Sequence, residues 1–289
     1  MHGVGTAASP VAEWLAKRLD TIRVVDVGCR GSRSPWRELR PLCEVIGCDP
    51  LRGSLDGSPS ASGCSTCYPF AVAANAGTAT LHVAADPDCS SLLRPNWQIL
   101  ERYNYAWRFE VQRELEVTCI TLEDLQQRHG SFDVVKLDSQ GLEYQLISSG
   151  MDVIAGALCL DVEAGLLENY VGEYPYGMID PLLREAGFSM IDFRPLFSRR
   201  AGWREGESKH QPLWCETIWL RDIVGRAEIP DETAAAKLML ICKALGHFAY
   251  GQELAIFLGE ENALPALVAA RLTDEATWQE PWQIGDWRG

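Results

Sequence analysis

Residues 132–143 read FDVVKLDSQGLE, an apolar run that ends in a carboxylate and breaks into a glycine-containing turn before a helical pattern. This order is typical of open α/β folds, which bind ligands at the carboxyl ends of their strands. Strand side chains alternate between faces, so Lys136 and Asp138 share one side while Val135 and Leu137 take the other. The stretch therefore predicts a Lys–Asp pair at the end of a buried central strand.

The rest of the chain alternates strand and helix patterns in the same way. Strand patterns occur at residues 22–27, 44–48, 68–73, 78–84, 116–120, 132–137, 157–162, 188–193 and 213–220. Helix patterns occur at residues 10–19, 121–129, 142–149 and 175–186, and Thr121 and Asp124 have the spacing of a capping box. This alternation predicts an α/β fold with a doubly wound, mostly parallel sheet and an antiparallel edge strand.

The C-terminal part of the chain has a different pattern. Two helical stretches, residues 233–245 and 251–258, follow the last strand pattern. We therefore predict two domains, residues 1–222 containing the sheet and residues 223–289 forming a C-terminal helical extension. The apolar extension requires a partner surface, which is either the sheet domain or a second subunit, so a homodimer is one of two alternatives.

Composition excludes some classes of protein. The chain has 289 residues, 47% hydrophobic and 23% charged, as expected of a globular protein with a substantial core. Its formal net charge of -14 disfavours a nucleic-acid partner, and the short basic cluster Arg199, Arg200 and Arg204 is interpreted as a solvated loop. No leader pattern and no run long enough to cross a bilayer is present, so we expect a cytoplasmic protein without a membrane partner.

The ten cysteines follow no regular spacing, which indicates reduced thiols rather than a disulfide framework. Cys64 and Cys67 form a lone CxxC without a second cysteine pair or a nearby histidine in the sequence. Zinc would lack two ligands there, and a redox role would lack its usual context. We therefore predict no metal site.

The first strand pattern carries the argument for a cofactor. Residues 22–32 read IRVVDVGCRGS, so Asp26 lies at the strand end and Gly28 and Gly31 lie in the turn, where glycines let a ligand approach the backbone. Asp49 follows Asp26 by 23 positions, near the offset of about 20 residues at which an acid reaches a ribose diol. A nucleoside ligand is implied.

The same turn narrows the identity of the nucleoside. A dinucleotide prefers the G-x-G-x-x-G phosphate cradle, whereas residues 28–31 supply only GxxG, so a nucleotide-linked oxidoreductase is disfavoured. S-adenosylmethionine has no phosphate, so it suits a pair of strand-end carboxylates better than a dinucleotide does. An empty Rossmann-like turn remains the alternative.

Several blocks together resemble the FkbM family of S-adenosylmethionine-dependent methyltransferases, over about residues 26–222. The blocks are VVDVGCRGS (24–32), VIGCDP (45–50), DCSSLLRPN (88–96), VTCITLEDL (117–125), VVKLDSQGLEYQLISSG (134–150) and LDVEAGLLENYVGEYPYGMIDPLLREAGF (160–188). The resemblance implies a class I methyltransferase fold that is Rossmann-like, S-adenosylmethionine as cofactor, and methyl transfer to a hydroxyl of a sugar, glycan or secondary metabolite. A non-catalytic methyltransferase-like binding module is the alternative.

Mapped onto this chain, the cofactor-binding set contains residues of the turns and of the Cys-Ser-Ser block. Its members are Asp26, Gly28, Arg30, Gly31, Asp49, Ser90, Ser91 and Asp138. The chain departs from the family at three places, because Arg30 replaces a common Asn, Asp49 a common Glu, and Ser139-Gln140-Gly141 a common Val-Glu-Gly.

Methyl transfer to a hydroxyl requires alignment and removal of a proton, so Asp138 is predicted as a base or an orienting carboxylate. A helix N-cap is the alternative for Asp138, and both roles are compatible. Lys136 is interpreted as a partner that tunes Asp138, as a substrate contact or as a structural ion pair. Asp161 and Glu163 repeat the i, i+2 spacing, which makes Glu163 a second candidate for the acceptor site, with a solvated loop acid as its alternative.

Residues 86–113 are rich in Pro, Asn, Trp and Tyr and are predicted to form a long functional loop or lid. Its aromatic residues either stack on a small-molecule or glycan acceptor or pack the loop onto the body of the protein. They are Trp97, Tyr103, Tyr105 and Trp107.

Overall fold

The computed structural model describes residues 20–29, 36, 42–52, 64–228 and 230–259. Arg30, Gly31 and the helix predicted at residues 10–19 lie outside the described residues. The chain divides into two compact units. One is Thr21–Asp222, and the other contains Asp20 and the chain from Ile223 onward.

The larger unit contains a seven-stranded sheet in the order β3-β2-β1-β7-β8-β10-β9. The strands of this unit are β1 (Ile22–Val27), β2 (Cys43–Cys48), β3 (Thr66–Tyr68), β4 (Ala71–Val72), β5 (Gly77–Ala84), β6 (Val111–Ile120), β7 (Val134–Leu137), β8 (Cys159–Gly165), β9 (Phe188–Ser198) and β10 (Gln211–Arg221). Five neighbouring strands, from β3 to β8, pair in parallel. The predicted α/β fold of the class I methyltransferase type, with a mostly parallel sheet, is confirmed.

The position of the antiparallel strand differs from the expected edge. β10 pairs antiparallel with β8 on one side and with β9 on the other, so β9 forms the edge of the sheet. The reason is that β10 returns along the full length of β9 as a hairpin and fills the space next to β8. Both sides of β10 are thereby hydrogen-bonded.

Five helices accompany the strands of this unit among the described residues. They are α1 (Trp97–Leu100), α2 (Leu122–His129), α3 (Glu143–Ser149), α4 (Met151–Gly156) and α5 (Tyr176–Glu185). The predicted capping box at the start of α2 is confirmed: Thr121 Oγ1 accepts from Asp124 N at 3.1 Å, and Asp124 Oδ2 accepts from Thr121 N at 2.9 Å. Such reciprocal bonds satisfy two otherwise orphaned N–H groups and set the helix start.

One face of the main sheet is apolar and forms the principal core with residues of α2–α5. The core includes Val25, Val27, Val135, Leu137, Leu160 and Val162 from the strands, with Leu125, Leu146, Ile154, Ile179 and Leu183 from the helices. Burial of each such side chain contributes about 1.5–3 kcal/mol. Because side chains alternate along a strand, the intervening residues of β1, β7 and β8 lie on the opposite face, and these residues are charged.

A second, three-stranded sheet has the order β4-β6-β5. The strand predicted at residues 68–73 is divided between β3 in the main sheet and β4 in this one. The sequence pattern could not reveal this division, because the apolar run continues across the break.

Residues 86–113 are ordered and packed, which corrects the prediction of a long loop or lid. Two 3₁₀ turns, Pro87–Cys89 and Ala106–Phe109, flank α1, and β6 already begins at Val111. Aromatic and aliphatic side chains of the segment form a separate hydrophobic cluster that contains Leu100, Tyr103, Tyr105, Phe109, Tyr170 and Leu213. The sequence alternative in which the aromatic residues pack onto the body is thus correct for Tyr103 and Tyr105.

The smaller unit contains α6 (Glu232–Ala244) and α7 (Phe248–Phe257). Gly246 has a φ of 77° and ends α6 in a Schellman motif: its N–H bonds to Lys243 O, and His247 N–H bonds to Cys242 O. A Cβ on Gly251 would lie 3.3 Å from Cys242 Cβ, so glycine permits the close approach of the two helices. Among the described residues, no helix combines the length and apolarity that crossing a membrane requires.

Candidate active site

A row of charged side chains crosses the polar face of the main sheet. Asp26 of β1 is in register with Lys136 of β7, and Lys136 is in register with Asp161 of β8. Adjacent parallel strands bring these residues side by side. The row lies one residue before the carboxyl end of β1 and β7, where open α/β sheets bind ligands.

Lys136 joins two carboxylates. Its Nζ lies 3.2 Å from Asp26 Oδ1 and 3.5 Å from Asp138 Oδ2. Burial alone would lower the pKa of Lys136, but the charges of Asp138, Asp26 and Asp161 outweigh it and raise the pKa above its usual value. The ammonium group is therefore charged at every physiological pH, and the Lys–Asp pair predicted from the strand pattern is present.

Exposure distinguishes the three groups. The side chain of Asp26 is 2% exposed and that of Lys136 is 11% exposed, whereas that of Asp138 is 27% exposed. In this triad of Asp26, Lys136 and Asp138, a ligand can reach Asp138. The other two side chains are buried beside it.

The helix-cap alternative for Asp138 is wrong. Helix α3 begins at Glu143, its N-cap residue is Leu142, and no side chain makes a cap hydrogen bond there. The Asp138 carboxylate instead contacts Lys136 and accepts a 2.9 Å hydrogen bond from Gln140 Nε2. The sequence places Asp138 five residues before the helix, so it is too far along the chain to cap it.

The turn after Asp138 is held by the carboxylate of Glu143. Glu143 Oε1 accepts from Ser139 N at 2.7 Å and from Ser139 Oγ at 2.8 Å, and Oε2 accepts from Gly141 N at 3.0 Å. Burial raises the pKa of Glu143 to about 7, against the lowering effect of these hydrogen bonds. The carboxyl group of Glu143 therefore fixes the turn that follows Asp138.

Gln140 occupies the centre of that turn and has a φ of 57°, a left-handed conformation that is costly for a residue with a side chain. Its amide compensates by bridging two groups: Nε2 donates to Asp138 Oδ1, and Oε1 accepts from Tyr170 Oη at 2.9 Å. The Tyr170 hydroxyl is buried and also lies 3.0 Å from Cys89 O. The strained backbone thus orients Asp138.

The two serines of the cofactor set have hydroxyls that bond to the backbone. Ser91 Oγ donates to Gln140 O at 2.7 Å and accepts from Leu93 N at 3.0 Å, and Ser90 Oγ accepts from Ala84 N at 3.1 Å. Ser91 is 2% exposed. These bonds give both serines a structural role, with Ser91 bonded to the turn that follows Asp138, and contact with the cofactor stays a prediction.

Glu163 lies next along the same face. It is in register with Glu216 of β10, whose carboxylate is paired with Arg194 at 2.6 Å. Burial, followed by the charges of Asp138, Glu143 and Glu216, raises the pKa of Glu163 well above its usual value. Glu163 lies within β8, so the alternative of a solvated loop acid is wrong, and the raised pKa favours the protonated form of its carboxyl group.

The predicted cofactor turn, which contains Gly28, packs directly on Asp138 at the end of β7. Gly28 has a φ of 78°, and a Cβ built on it would lie 1.9 Å from Asp138 O. Only glycine fits there, and it brings the end of β1 beside the end of β7. Asp49 follows β2 at the same edge, is 6% exposed, and accepts from Leu51 N at 2.8 Å.

These residues fit S-adenosylmethionine. The cofactor carries positive charge on its sulfonium and amino groups and no phosphate, and the described edge offers the carboxylates of Asp49 and Asp138. A buried acid at the end of the second strand suits a ribose diol. Among the described residues, no group of three or more His, Cys, Asp or Glu side chains is arranged to hold a metal ion.

The structure also brings together residues that spacing along the chain does not connect. Tyr170 follows Gln140 by 30 positions, and no local pattern signals their contact. Cys29 lies 3.6 Å from Cys67, measured between the Sγ atoms, because β1, β2 and β3 are neighbours in the sheet.

The aromatic residues of the segment before β6 divide into two groups. Tyr103 and Tyr105 are buried, whereas Trp97 and Trp107 are 42% and 58% exposed. Stacking on an acceptor remains a prediction for the two tryptophans and is excluded by burial for the two tyrosines.

Comparison with known proteins gives one family. The profile of the methyltransferase FkbM domain matches residues 29–190, which is more than half of the chain. No match was found among curated proteins.

Solved structures include several distant likenesses. A magnesium protoporphyrin IX methyltransferase from Synechocystis PCC 6803 with bound SAM is 14% identical over 76% of this chain and 86% of that one, with a TM-score of 0.33. A TehB-like SAM-dependent methyltransferase from Corynebacterium glutamicum is 11% identical over 75% and 90% of the two chains, with a TM-score of 0.32. A 16S rRNA (adenine(1408)-N(1))-methyltransferase from Catenulisporales acidiphilia is 14% identical over 76% and 97%, with a TM-score of 0.30.

Similarity at that level adds nothing on substrate or mechanism. The match to the domain profile is stronger evidence, because it runs from Cys29, in the turn after β1, through the turn after β7. These are the two turns that meet at the site. The chain belongs to the FkbM family of methyltransferases and uses S-adenosylmethionine as its methyl donor.

Proposed function

We propose that the protein transfers a methyl group to a hydroxyl oxygen of a small-molecule or glycan acceptor, with Asp138 as the general base. One observation carries this proposal. Asp138 is the exposed end of a buried Asp–Lys–Asp triad at the carboxyl edge of the sheet, and it lies beside the turn that contains Gly28. S-adenosylmethionine supplies an already activated methyl group, so the protein must orient the acceptor oxygen and remove its proton.

Lys136 prepares Asp138 for this role. Its ammonium group lies 3.5 Å from Asp138 Oδ2, and Asp26 balances its charge from the other side. This contact holds the Asp138 carboxylate in place at the end of β7. Lys136 is therefore a positioning and charge-balancing residue rather than a substrate contact.

Glu163 supplies the complementary donor. Burial raises the pKa of Glu163, which favours its protonated form, and a protonated carboxyl group can donate to the acceptor oxygen. A hydrogen-bond donor and a proton acceptor at one edge of the sheet suit a hydroxyl, which is both donor and acceptor.

The charge of the site supports a neutral acceptor rather than RNA or DNA. The cation of the site, Lys136, is already paired with Asp26 and Asp138, whereas a phosphate backbone requires free cationic contacts. Two arginines of the basic cluster have partners within the protein: Arg199 pairs with Glu205 at 3.1 Å, and Arg200 lies over the ring of Tyr103. We also retain as proposals a cytoplasmic location and a homodimer formed through the C-terminal helices.

The test uses S-adenosylmethionine with a ¹³C-labelled methyl group. The purified full chain is incubated with separate panels of monosaccharides and glycosides, of phenols and polyols, of amines, and of RNA oligonucleotides, and ¹³C NMR identifies the methylated atom. We expect O-methyl products from a hydroxyl panel only. N-methyl products or methylated RNA would refute the proposed acceptor class, and binding of the cofactor without any product from all panels would favour a non-catalytic binding module.

A further inference from the structure

A cluster of three cysteines lies under the turn that follows β1. Cys29 comes directly after Gly28, Cys64 precedes β3, and Cys67 lies within β3. The Sγ atoms of Cys29 and Cys67 are 3.6 Å apart. All ten cysteines fall within the described residues and none is in a disulfide, so this cluster is a set of thiols that the methyltransferase reaction does not use.

Gly47 creates the space for the sulfur atoms. It lies in β2 between Asp26 of β1 and Cys67 of β3 in the register of the sheet. A Cβ on Gly47 would lie 2.6 Å from Cys29 Sγ and 2.5 Å from Cys64 Sγ, so the sulfurs occupy the volume that any other side chain would fill. Three sulfurs packed against a glycine in the middle strand form a specific arrangement rather than scattered core cysteines.

Arg52 faces the same sulfurs. Its Nη1 lies 3.5 Å from Cys67 Sγ and 3.9 Å from Cys29 Sγ. The hydrogen bonds from Cys29 and Cys64, reinforced by Arg52, lower the pKa of Cys67 far below its usual value. Cys67 is also partly exposed, whereas Cys29 and Cys64 are buried. A partly exposed thiolate beside a cation and a second thiol has the features of an oxidisable cysteine with a resolving partner.

We propose that Cys67 and Cys29 form a peroxide-sensitive dithiol, in which Cys67 reacts first and Cys29 resolves it to a disulfide. The Cys67 thiolate attacks one oxygen of hydrogen peroxide, the O–O bond breaks, and the products are a sulfenic acid and, after proton uptake, water. The Cys29 thiol then loses its proton, its sulfur attacks the sulfur of Cys67, and the S–O bond breaks to release a second water. Two thiols thereby give two electrons to one peroxide.

The geometry suits this step. A disulfide has an S–S distance of about 2.05 Å, so the two sulfurs, which lie 3.6 Å apart, must approach by roughly 1.5 Å. The expected product links the turn after β1 to β3. Cys64 also lies close to Gly47, but the proposed reaction does not require Cys64.

The experiment exposes the reduced full-length protein to a graded excess of hydrogen peroxide, alkylates the remaining thiols after denaturation, and maps peptides by mass spectrometry. We expect the thiol count to fall from ten to eight, one Cys29–Cys67 peptide pair to appear, and dithiothreitol to restore all ten. Cys67→Ser should abolish the loss of thiols. Cys64→Ser, a change in the same cluster, should retain the disulfide.

Arg52→Ala should slow the oxidation by at least about threefold without changing the product, because a smaller fraction of Cys67 is thiolate. Three results would overturn the proposal. The protein could retain ten thiols after a dose of peroxide that oxidises a free low-pKa thiol, or a disulfide could form between another pair of cysteines. The third is oxidation of Cys67 to sulfinic acid with Cys29 unchanged. Zinc that co-purifies and is released by thiol alkylation would also overturn it, since the cluster would then be a set of metal ligands. The Cys67 and Cys64 variants test the proposal even if a Cys29→Ser variant fails to fold.

Discussion

The side-chain amide of Gln140 donates a 2.9 Å hydrogen bond to Oδ1 of Asp138, from a backbone held at a φ of 57°. The other end of the amide accepts from the buried hydroxyl of Tyr170. Because Tyr170 comes from a different part of the chain, the orientation of Asp138 depends on the whole site rather than on its own turn. The amide therefore acts as a spacer of fixed length between a structural tyrosine and the proposed base.

Gln140→Ala removes the bridge but keeps the backbone strain, whereas Gln140→Gly removes both. We expect each variant to lower kcat for the acceptor by about tenfold, since Asp138 loses a charge-assisted hydrogen bond worth about 1.5–3 kcal/mol. The KM for S-adenosylmethionine should stay near the wild-type value. Thermal denaturation should show the glycine variant to be the more stable of the two. Wild-type kcat in both variants would show that the bridge does not orient the base.

Lys136→Met leaves the carboxylates of Asp26 and Asp138 near each other without their cation. We expect a loss of about 3 kcal/mol in the free energy of unfolding, measured by chemical denaturation, because breaking a buried ion pair leaves charge uncompensated. Arg184→Met is the matched control, since it breaks an exposed pair with Asp180 on α5 and should leave stability close to wild type. Equal effects of the two substitutions would contradict the structural importance of the triad.

Gly28→Ala and Gly206→Ala separate backbone strain from packing. The two glycines have φ values of 78° and 79°, but a Cβ on Gly206 meets nothing within 4 Å, whereas one on Gly28 would meet Asp138 O at 1.9 Å. We expect Gly206→Ala to cost about 1 kcal/mol and Gly28→Ala to cost at least about 3 kcal/mol or to prevent folding. Similar melting temperatures for the two variants would refute the close packing of the two turns.

Stability should fall as the pH rises from about 5 to 8. Burial raises the pKa of Glu143 and of Asp161 to about 7, and that of Glu173 to about 8. Each of these groups holds a proton in the folded state that it releases in the unfolded state within this window, so raising the pH favours unfolding. Their stabilising contribution is complete below their unfolded pKa values, near 4, and is lost as the pH passes the folded values.

Chemical denaturation at a series of pH values measures this loss. Glu173→Gln should flatten the decline by about 3 kcal/mol between pH 5 and 8, because one of the proton-linked groups is removed. Glu207→Gln, on an exposed loop, should leave the slope unchanged. A free energy of unfolding that increases over the window would contradict the buried, neutral state of these acids.

Much of the architecture could be predicted from local pattern. The capping box of Thr121 and Asp124 identified the start of α2, and the alternating strands and helices identified the parallel sheet. Local pattern failed where one apolar run served two sheets, at Ala71–Val72, and where aromatic residues at Tyr103 and Tyr105 were core rather than lid. Composition cannot distinguish an aromatic side chain that waits for a ligand from one that is already buried.

The site was predictable to the extent that strand periodicity determines it. Placing Lys136 and Asp138 on one face followed from their spacing of two, and the structure adds Asp26 through the register of β1 and β7. The bridge from Gln140 to Tyr170 and the contact of Cys29 with Cys67 depend on tertiary packing, so no spacing along the chain announces them. The role of Glu143 was not predicted, because its hydrogen bonds run backward into a turn that sequence alone does not define.

The central claim is that Asp138 removes the proton of a hydroxyl acceptor. Asp138→Asn keeps the shape of the side chain, and the amide can still contact Gln140. The most direct measurement is the rate at which this variant forms S-adenosylhomocysteine with the acceptor identified in the ¹³C experiment. Calorimetry measures the binding of S-adenosylmethionine to the same variant. We predict a fall in kcat of at least about 100-fold with the Kd for the cofactor within about threefold of wild type. A variant that transfers methyl groups at the wild-type rate would contradict the account.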